Sequence, residues 1–187
     1  MFQDIEIIEE INDRGFFLRK ISKKDAKFLL KWLQNEKVTN YMSMGPLTNL
    51  ESSKKLINRY LRYWSDYFQF NYIIERREEN NNIIKLGSIS LWNISWHHKR
   101  SEIGIWIASD YWNQGIGEKA INLIKIIAFY HLKFNRLEAH ISVKNLSSIT
   151  LFKKCGFIEE GKLREYLNFK GIYHDTIILS YLKNNKN

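Results

Sequence analysis

The stretch that decides the fold is IGIWIASDYWNQGIGEKAINLIKIIAFYHL, from Ile103 to Leu132. It begins as an apolar strand, passes through Gly115 and Gly117, and continues as a long apolar helix. The chain has only nine glycines in 187 residues, so two of them at one strand-to-helix junction are a notable concentration. Glycines there allow a tight bend and let a ligand approach the first N–H groups of the helix. The stretch therefore predicts an anion site, suited to a pyrophosphate, at the start of a helix from Glu118 to Leu132.

Length and composition predict one domain, residues 1–187, large enough to bury a core, since 44% of the residues are apolar. The acidic start lacks the basic and apolar regions of a signal peptide, and no apolar run approaches the roughly 20 residues of a membrane span. A single cysteine, Cys155, excludes an internal disulfide and favours a reducing, cytoplasmic location. One cysteine and five scattered histidines give no metal-ligand spacing, so no metal is expected.

The net charge of +9 predicts a surface that attracts anions, which include nucleic acid, acidic proteins and phosphorylated cofactors. The lysines are spread along the chain rather than clustered. We therefore expect a solvated basic surface and no specific binding of nucleic acid.

Hydrophobic periodicity and turn residues predict strands and helices along the whole chain. A strand at 14–21 precedes two helices, and three strands then form an antiparallel meander with polar breaks at 78–82 and 95–100. The order that follows is helix, strand, helix, strand, strand. This order predicts an α/β (α+β) fold in which helices pack against a mixed sheet.

Several helix ends have recognisable caps. Ser22 with Asp25, and Thr48 with Glu51, match the capping-box pattern at the first two helices. Gly156 is expected to end the last helix in a left-handed conformation, and Ser147 or Ser148 would cap its start.

Two familiar glycine motifs fit poorly. The P-loop pattern is absent, whereas Gly115, Gly117 and Ala120 do match the dinucleotide fingerprint G-x-G-x-x-G/A, with Glu138 about 20 residues later. However, SDYWNQ separates the strand from the first glycine, and Glu138 lies inside its own predicted strand. Too little chain follows for repeated βαβ units, so this alternative is disfavoured.

The remaining explanation is a pyrophosphate-binding site formed by the glycine turn and the N–H groups that follow it. In these residues the chain resembles the GNAT N-acetyltransferase superfamily. That family's acetyl-coenzyme A motif, [Q/R]-x-x-G-x-[G/A], corresponds to residues 112–117, WNQGIG. Trp112 replaces the commoner Gln or Arg, as in the ribosomal-protein-alanine N-acetyltransferase branch. The ending VKNLSSITLFKKCGFIEEGKLREYLNFKGIYHDTIILS and the opening LRKISKKDAKFLLKWL are also similar to that branch. The resemblance implies the GNAT fold, with a central, mostly antiparallel, splayed sheet flanked by helices.

The same resemblance implies a set of cofactor contacts for acetyl-CoA as co-substrate. The backbone of Ile107 and Ala108 would pair with the pantetheine arm, which Asn145 would also bind and along which Phe152 would pack. The pyrophosphate would bind at the turn formed by Asn113, Gln114, Gly115, Ile116, Gly117 and Glu118.

Three residues are candidates for catalysis. Ser148 matches the family position whose hydroxyl assists the leaving thiolate, although it is also suited to the first turn of a helix. Glu165 matches the carboxylate proposed as general base in the ribosomal-protein enzymes, and Glu102 is the competing carboxylate at the head of the splayed strand. Either carboxylate is also compatible with a solvated strand position, so the base stays open.

The leading hypothesis is an acetyl-CoA-dependent N-acetyltransferase that acts on a primary amine by direct attack on the thioester. A protein N-terminus, a polyamine, an aminoglycoside and an amino sugar all stay open as acceptors, as does assembly into a homodimer. The alternative is a non-catalytic module of the same fold that contacts RNA or an acidic partner through its basic surface.

Overall fold

The computed structural model describes residues 5–42, 46–79 and 81–184; Met44 and Gly45, at the predicted chain break, lie outside these ranges. The sheet comprises eight strands: β1 (Glu10–Asp13), β2 (Phe16–Lys20), β3 (Phe70–Arg77), β4 (Ile83–Ser95), β5 (Arg100–Ile107), β6 (Arg136–Ser142), β7 (Ile158–Phe169) and β8 (Ile172–Leu182). The helices are α1 (Ala26–Leu33), α2 (Glu36–Thr39), α3 (Leu50–Ser65), α4 (Ile116–Ile126) and α5 (Leu146–Lys154). In these ranges no helix has the length and apolar character needed to cross a bilayer.

The sheet has the strand order β1-β2-β3-β4-β5-β6-β8-β7. Strands β3, β4 and β5 form the predicted antiparallel meander, and β6, β8 and β7 form a second antiparallel block. The two blocks meet at a parallel pair, β5 with β6, whose described register runs only from Arg100↔Arg136 to Glu102↔Glu138. Beyond Glu102 the two strands diverge, which confirms the expected mixed, splayed sheet.

Both faces of the sheet are covered by helices. Alternate residues of β3 pack on opposite sides, with Tyr72 and Ile74 in the core beneath α4 and Ile73 in the core beneath α1 and α3. The observed order of helices and strands agrees with the α/β (α+β) prediction, except that edge strand β1 and the short helix α2 were not predicted.

The helix ends were predicted less accurately. The cap of α3 is Asn49, whose Oδ1 accepts a hydrogen bond from Ser52 N at 2.8 Å, so the prediction of Thr48 with Glu51 was wrong by one residue. Helix α4 begins at Ile116, two residues before the predicted Glu118, and a π-helical turn, Ile127–His131, follows it. Gly156 has the expected left-handed backbone, with φ of +84°.

Ser22 and Asp25 do form the first capping box, but Asp25 has a further role. Its fully buried carboxylate pairs with Arg19 at 3.0 Å and with Lys85 at 2.6 Å. Burial alone would raise the pKa of Asp25, but hydrogen bonds from Arg19, Lys85 and the Ser22 backbone outweigh it and lower that pKa. The cap therefore also attaches the start of α1 to strands β2 and β4.

Candidate active site

The divergence of β5 from β6 leaves part of β5 without a sheet partner on that side. The N–H of Ala108 bonds to the carbonyl of Leu86 in β4 at 2.8 Å. Because backbone bonding alternates along an antiparallel pair, the backbone groups of Ile103, Ile105 and Ile107 point away from β4. The diverging strands thus present a short row of backbone donors and acceptors to whatever enters between them.

This geometry modifies the expected contacts at the end of β5. The Ala108 N–H is already bonded within the sheet, so it does not face the opening. The Ile107 carbonyl accepts a hydrogen bond of 2.8 Å from the indole nitrogen of Trp112. Hence Ile103 and Ile105 offer better-placed backbone groups than Ile107 and Ala108, and Trp112 stabilises the turn after β5.

The turn between β5 and α4 holds its shape through local contacts and unusual backbone angles. Gln114 donates a side-chain hydrogen bond of 3.2 Å to the carbonyl of Asp110. Asn113 and Gly115 have φ of +60° and +73°, and a Cβ at Gly115 would meet nothing within 4 Å. Gly115 is therefore required for its left-handed conformation, and it faces open space at the helix start.

The first N–H groups of α4 lie beside that open space. In any α-helix these donors lack intrahelical acceptors, and they carry the positive end of the helix dipole. Ile116 and Gly117 are buried in the first turn, while the carboxylate of Glu118 pairs with Lys154 of α5 at 2.7 Å. The predicted anion site therefore depends on backbone donors, because a carboxylate repels anions. The charge of Glu118 is compensated by Lys154.

Gly117 also has a packing role that the sequence did not predict. A Cβ at this position would lie 2.7 Å from Leu151 Cδ2, so Gly117 makes room for α5 against α4. The role predicted for this glycine, the approach of an anion to its backbone, stays a prediction beside this packing role.

The start of α5 lies on the other side of the opening. Asn145 caps this helix, because its Oδ1 accepts hydrogen bonds from Ser148 N at 3.3 Å and Ser147 Oγ at 3.1 Å. The prediction that Ser147 or Ser148 would be the cap was therefore wrong. Phe152, 2% exposed, packs edge-on against Phe157, so it belongs to the core while also lining the cavity described next.

A cavity of about 380 Å³ occupies the opening. Its walls come from helices α1, α3 and α5, strands β3 to β7, and the segment after α2. The predicted residues that line it are Glu102, Asn145, Ser148 and Phe152. Residues 103–106 of β5 line it as well, including Ile103 and Ile105 with their outward backbone groups.

Glu102 lies where β5 and β6 begin to diverge and is 2% exposed. It accepts a hydrogen bond from Asn93 Nδ2, and its Oε2 lies 3.5 Å from His140 Nδ1. His140 also lines the cavity, and its Nε2 lies 3.4 Å from Glu138 Oε2. The His140 imidazole thus lies between the carboxylates of Glu102 and Glu138, although its buried Nε2 forms no hydrogen bond with the described residues.

Glu102, Glu138 and His140 place three potential ligand atoms within 4.8 Å of one another, a spacing that could hold a metal ion. Glu138, however, pairs with Arg136 at 2.6 Å and lies 3.7 Å from Arg100. Two guanidinium groups this close compensate the negative charge that a cation would need. We therefore describe the cluster as a network of ion pairs and hydrogen bonds.

Glu165, the other candidate base, is exposed and does not line the cavity. It occupies an irregularity of β7 with φ of +50°, and its N–H donates to Asp175 Oδ1 at 3.0 Å. Lys162 and the Glu165 N–H together lower the pKa of Asp175. The structure thus brings Glu102 and Ser148 to one cavity but leaves Glu165 outside it.

Most of the aromatic cavity wall was not predicted. It consists of Tyr41, Tyr60, Tyr63, Trp92, Trp106 and Phe169. Tyr60 lies at helical spacing on α3, where it packs against the core and also lines the cavity. His140 alternates with apolar residues along β6. That alternation indicates only that its side chain lies on the face of the strand opposite to the apolar side chains.

Comparisons with known proteins agree with this geometry. A family model described as an acetyltransferase (GNAT) domain matches residues 16–158. The uncharacterized N-acetyltransferase YoaA of Bacillus subtilis is 28% identical over 89% of this chain and 92% of its own length. The putative ribosomal N-acetyltransferase YdaF of the same organism is 37% identical over 52% of this chain and 53% of its own.

A solved structure has a similar fold. The spermidine N-acetyltransferase of Vibrio cholerae, crystallised in complex with CoA and spermine, superposes with a TM-score of 0.79. It is 24% identical, and the match covers 91% of this chain and 96% of that one. At this identity the similarity establishes the fold alone.

Proposed function

Because the chain belongs to the acetyltransferase (GNAT) domain family and is therefore an acetyl-CoA-dependent acyltransferase, we propose that it acetylates a primary amine bound in the cavity beside Glu102. The observation on which this proposal rests is that one cavity is lined by the outward edge of β5, by Glu102 and by Ser148. A backbone edge, a carboxylate and a hydroxyl are the groups that amine acetylation requires.

The residues present fit acetyl-CoA, which supplies the acetyl thioester. The open space at Gly115 and the first N–H groups of α4 suit a pyrophosphate. The backbone of Ile103 and Ile105 suits an extended amide-containing arm between the diverging strands. Asn145 and Phe152 line the cavity where that arm would end.

An amine is protonated near neutral pH and must lose a proton before it can attack. Glu102 accepts that proton, and His140 lies beside it, with Nδ1 3.5 Å from its carboxylate. The amine nitrogen then forms the N–C bond to the acetyl carbonyl carbon as the C–S bond breaks. The electron pair leaves on sulfur, where Ser148 stabilises it by donating a hydrogen bond.

The proton balance is simple. A primary ammonium loses two protons in becoming an amide; one ends on the thiol of coenzyme A, and one passes to solvent. No oxidant, reductant or metal ion is required, because the reaction only exchanges a thioester for an amide.

The direct test measures thiol release from acetyl-CoA in the presence of single amines, with mass spectrometry of the product. We expect release that depends on the amine, together with a gain of one acetyl group on it. Binding of CoA in calorimetry without acetylation of any amine would contradict the proposal and favour a non-catalytic role.

A further inference from the structure

The acceptor side of the cavity is largely aromatic. Around the β5 edge, much of the cavity wall consists of flat rings, accompanied by Leu29, Leu33 and Met42; the rings are Tyr41, Tyr60, Tyr63, Trp92, Trp106 and Phe169. Burial raises the pKa of the Tyr60 phenol, as expected for a poorly hydrated surface. Such a wall binds a flat apolar group well, because offset and edge-on ring contacts add to simple burial.

The same cavity offers few carboxylates to pair with positive charge. Among the described residues that line the cavity, Glu102 is the one carboxylate, and Arg59 of α3 contributes a permanent positive charge. A single ammonium beside Glu102 would be paired. A polyamine would bring further ammonium groups next to Arg59 with no second carboxylate among these lining residues to pair with them, and ring faces offset only part of the cost of removing such charges from water.

Contacts of the cavity-lining residue Tyr41 also limit the size of the acceptor. The hydroxyl of Tyr41 donates to the carbonyl of Lys144 at 3.2 Å, and its ring packs edge-on against Phe169 at 6.3 Å. Lys170 pairs with Glu36 at 3.4 Å. The segment around α2 is thereby connected to the β7–β8 hairpin.

On these grounds we infer that the acceptor is a small primary amine with one positive charge and a flat apolar body, of the arylalkylamine class, and not a polyamine. This inference rests on the proposed function and defines the substrate class of the same cavity. Its physical basis is the combination of one buried carboxylate, one arginine and an aromatic wall.

The test compares kcat/KM for phenethylamine, tryptamine, n-butylamine, spermidine and kanamycin in the thiol-release assay. We expect the two arylalkylamines to exceed spermidine and kanamycin by at least about 10-fold. They should also exceed n-butylamine by about 10-fold or more, because n-butylamine lacks the ring.

A charge substitution sharpens the test. Arg59→Glu adds a carboxylate to the wall, so kcat/KM for spermidine should rise at least about fivefold relative to phenethylamine. Arg62→Glu is the matched control, because Arg62 lies on the same helix but not in the cavity lining. Arg62→Glu makes the same charge change and should leave the ratio of the kcat/KM values for spermidine and phenethylamine within about twofold of the unmodified protein's.

The outcomes separate the two proposals. If spermidine or kanamycin is the best substrate of the unmodified protein, the inference about the acceptor is wrong and the acetylation of amines stands. The inference also fails if Arg59→Glu and Arg62→Glu shift the ratio equally. If the protein binds CoA but no amine is acetylated, the proposed function itself fails, and the acceptor inference fails with it.

Discussion

Gly117 and Leu151 approach each other so closely across the α4–α5 interface that a Cβ on Gly117 would lie 2.7 Å from Leu151 Cδ2. The contact brings the capped start of α5 close to the start of α4, where an anion site is predicted. Ser148, which precedes Leu151 by one helical turn, is positioned in the cavity by the same packing.

This contact predicts that Gly117→Val lowers the free energy of unfolding by about 1–3 kcal/mol, because the added side chain overpacks the interface. The double variant, Gly117→Val with Leu151→Ala, should recover part of the lost stability. Gly115→Ala is the comparison: it has open space but a left-handed backbone, so we expect a cost of about 1–2 kcal/mol that Leu151→Ala does not relieve. Urea denaturation measures the free energy of unfolding of Gly117→Val and Gly115→Ala, each with and without Leu151→Ala.

The opposite result is equally informative. If Gly117→Val keeps full stability yet loses affinity for CoA in calorimetry, Gly117 contacts the ligand directly and the packing explanation is wrong.

The positions of the two carboxylates predict different effects on catalysis. Glu102→Gln should lower kcat/KM by about 10²–10³-fold at pH 7.5, because a general base is lost where the amine is protonated. The loss should shrink as pH approaches the pKa of the amine, since free amine then becomes abundant. The groups facing Glu102 are Asn93 and His140, with Glu138 beyond, so His140→Asn should weaken the same pH dependence.

Glu165→Gln provides the control. Its side chain is exposed and outside the cavity, so kcat/KM should stay within about threefold. A large, pH-dependent loss in Glu165→Gln with none in Glu102→Gln would overturn our assignment of the base.

Two adjacent serines allow a matched test at the start of α5. Ser148→Ala should lower kcat by about 10- to 100-fold, because the departing thiolate loses a hydrogen-bond donor but remains a good leaving group. Ser147→Ala removes a hydroxyl that contacts Asn145 and does not line the cavity, so its kcat should change by less than about threefold. Equal effects would indicate that Ser148 acts only through the helix cap.

Cys155 should be unreactive in the folded protein. It is 6% exposed, and burial raises the pKa of its thiol despite the nearby Lys125. We therefore expect an Ellman-type disulfide at pH 7.5 to react at least about 100-fold more slowly than with a free cysteine peptide. One thiol should appear in guanidinium chloride. A rapid stoichiometric reaction without denaturant would show that the site opens readily.

The Asp25 ion pairs predict a pH-dependent contribution to stability. Asp25→Asn leaves Arg19 and Lys85 without this carboxylate, and we expect a loss of about 3 kcal/mol near neutral pH. The folded-state pKa of Asp25 lies below its ordinary value of 3.8. Its contribution to stability is therefore present above pH 3.8 and is lost as the pH falls from 3.8 through the folded-state pKa. Denaturant titrations from pH 7 to pH 3 should show the two proteins converging at the acidic end.

The convergence is the decisive part of that measurement. A stability difference that stays constant down to pH 3, or grows there, would mean that the charge of Asp25 is not what stabilises the start of α1.

Local patterns predicted much of the fold because their causes are local. The meander follows from alternating residues and polar breaks, and Gly115 and Gly156 follow from backbone angles that other residues adopt at a cost. Capping was less reliable, since Thr48, Asn49 and Ser52 all offer a cap acceptor and the choice depends on how α3 packs. Edge strand β1 was missed because its acidic sequence pairs only through the neighbouring β2.

The sequence by itself determined the family resemblance, the alternating strands and the glycine turn before α4. Only the tertiary structure decided which carboxylate reaches the cavity and which rings line it. Glu102 reaches the cavity because the parallel pairing of β5 with β6 stops at that residue, and His140 meets it from a strand 38 positions later. Spacing along the chain cannot specify such contacts, because they depend on where two strands diverge and on which helices cover the gap.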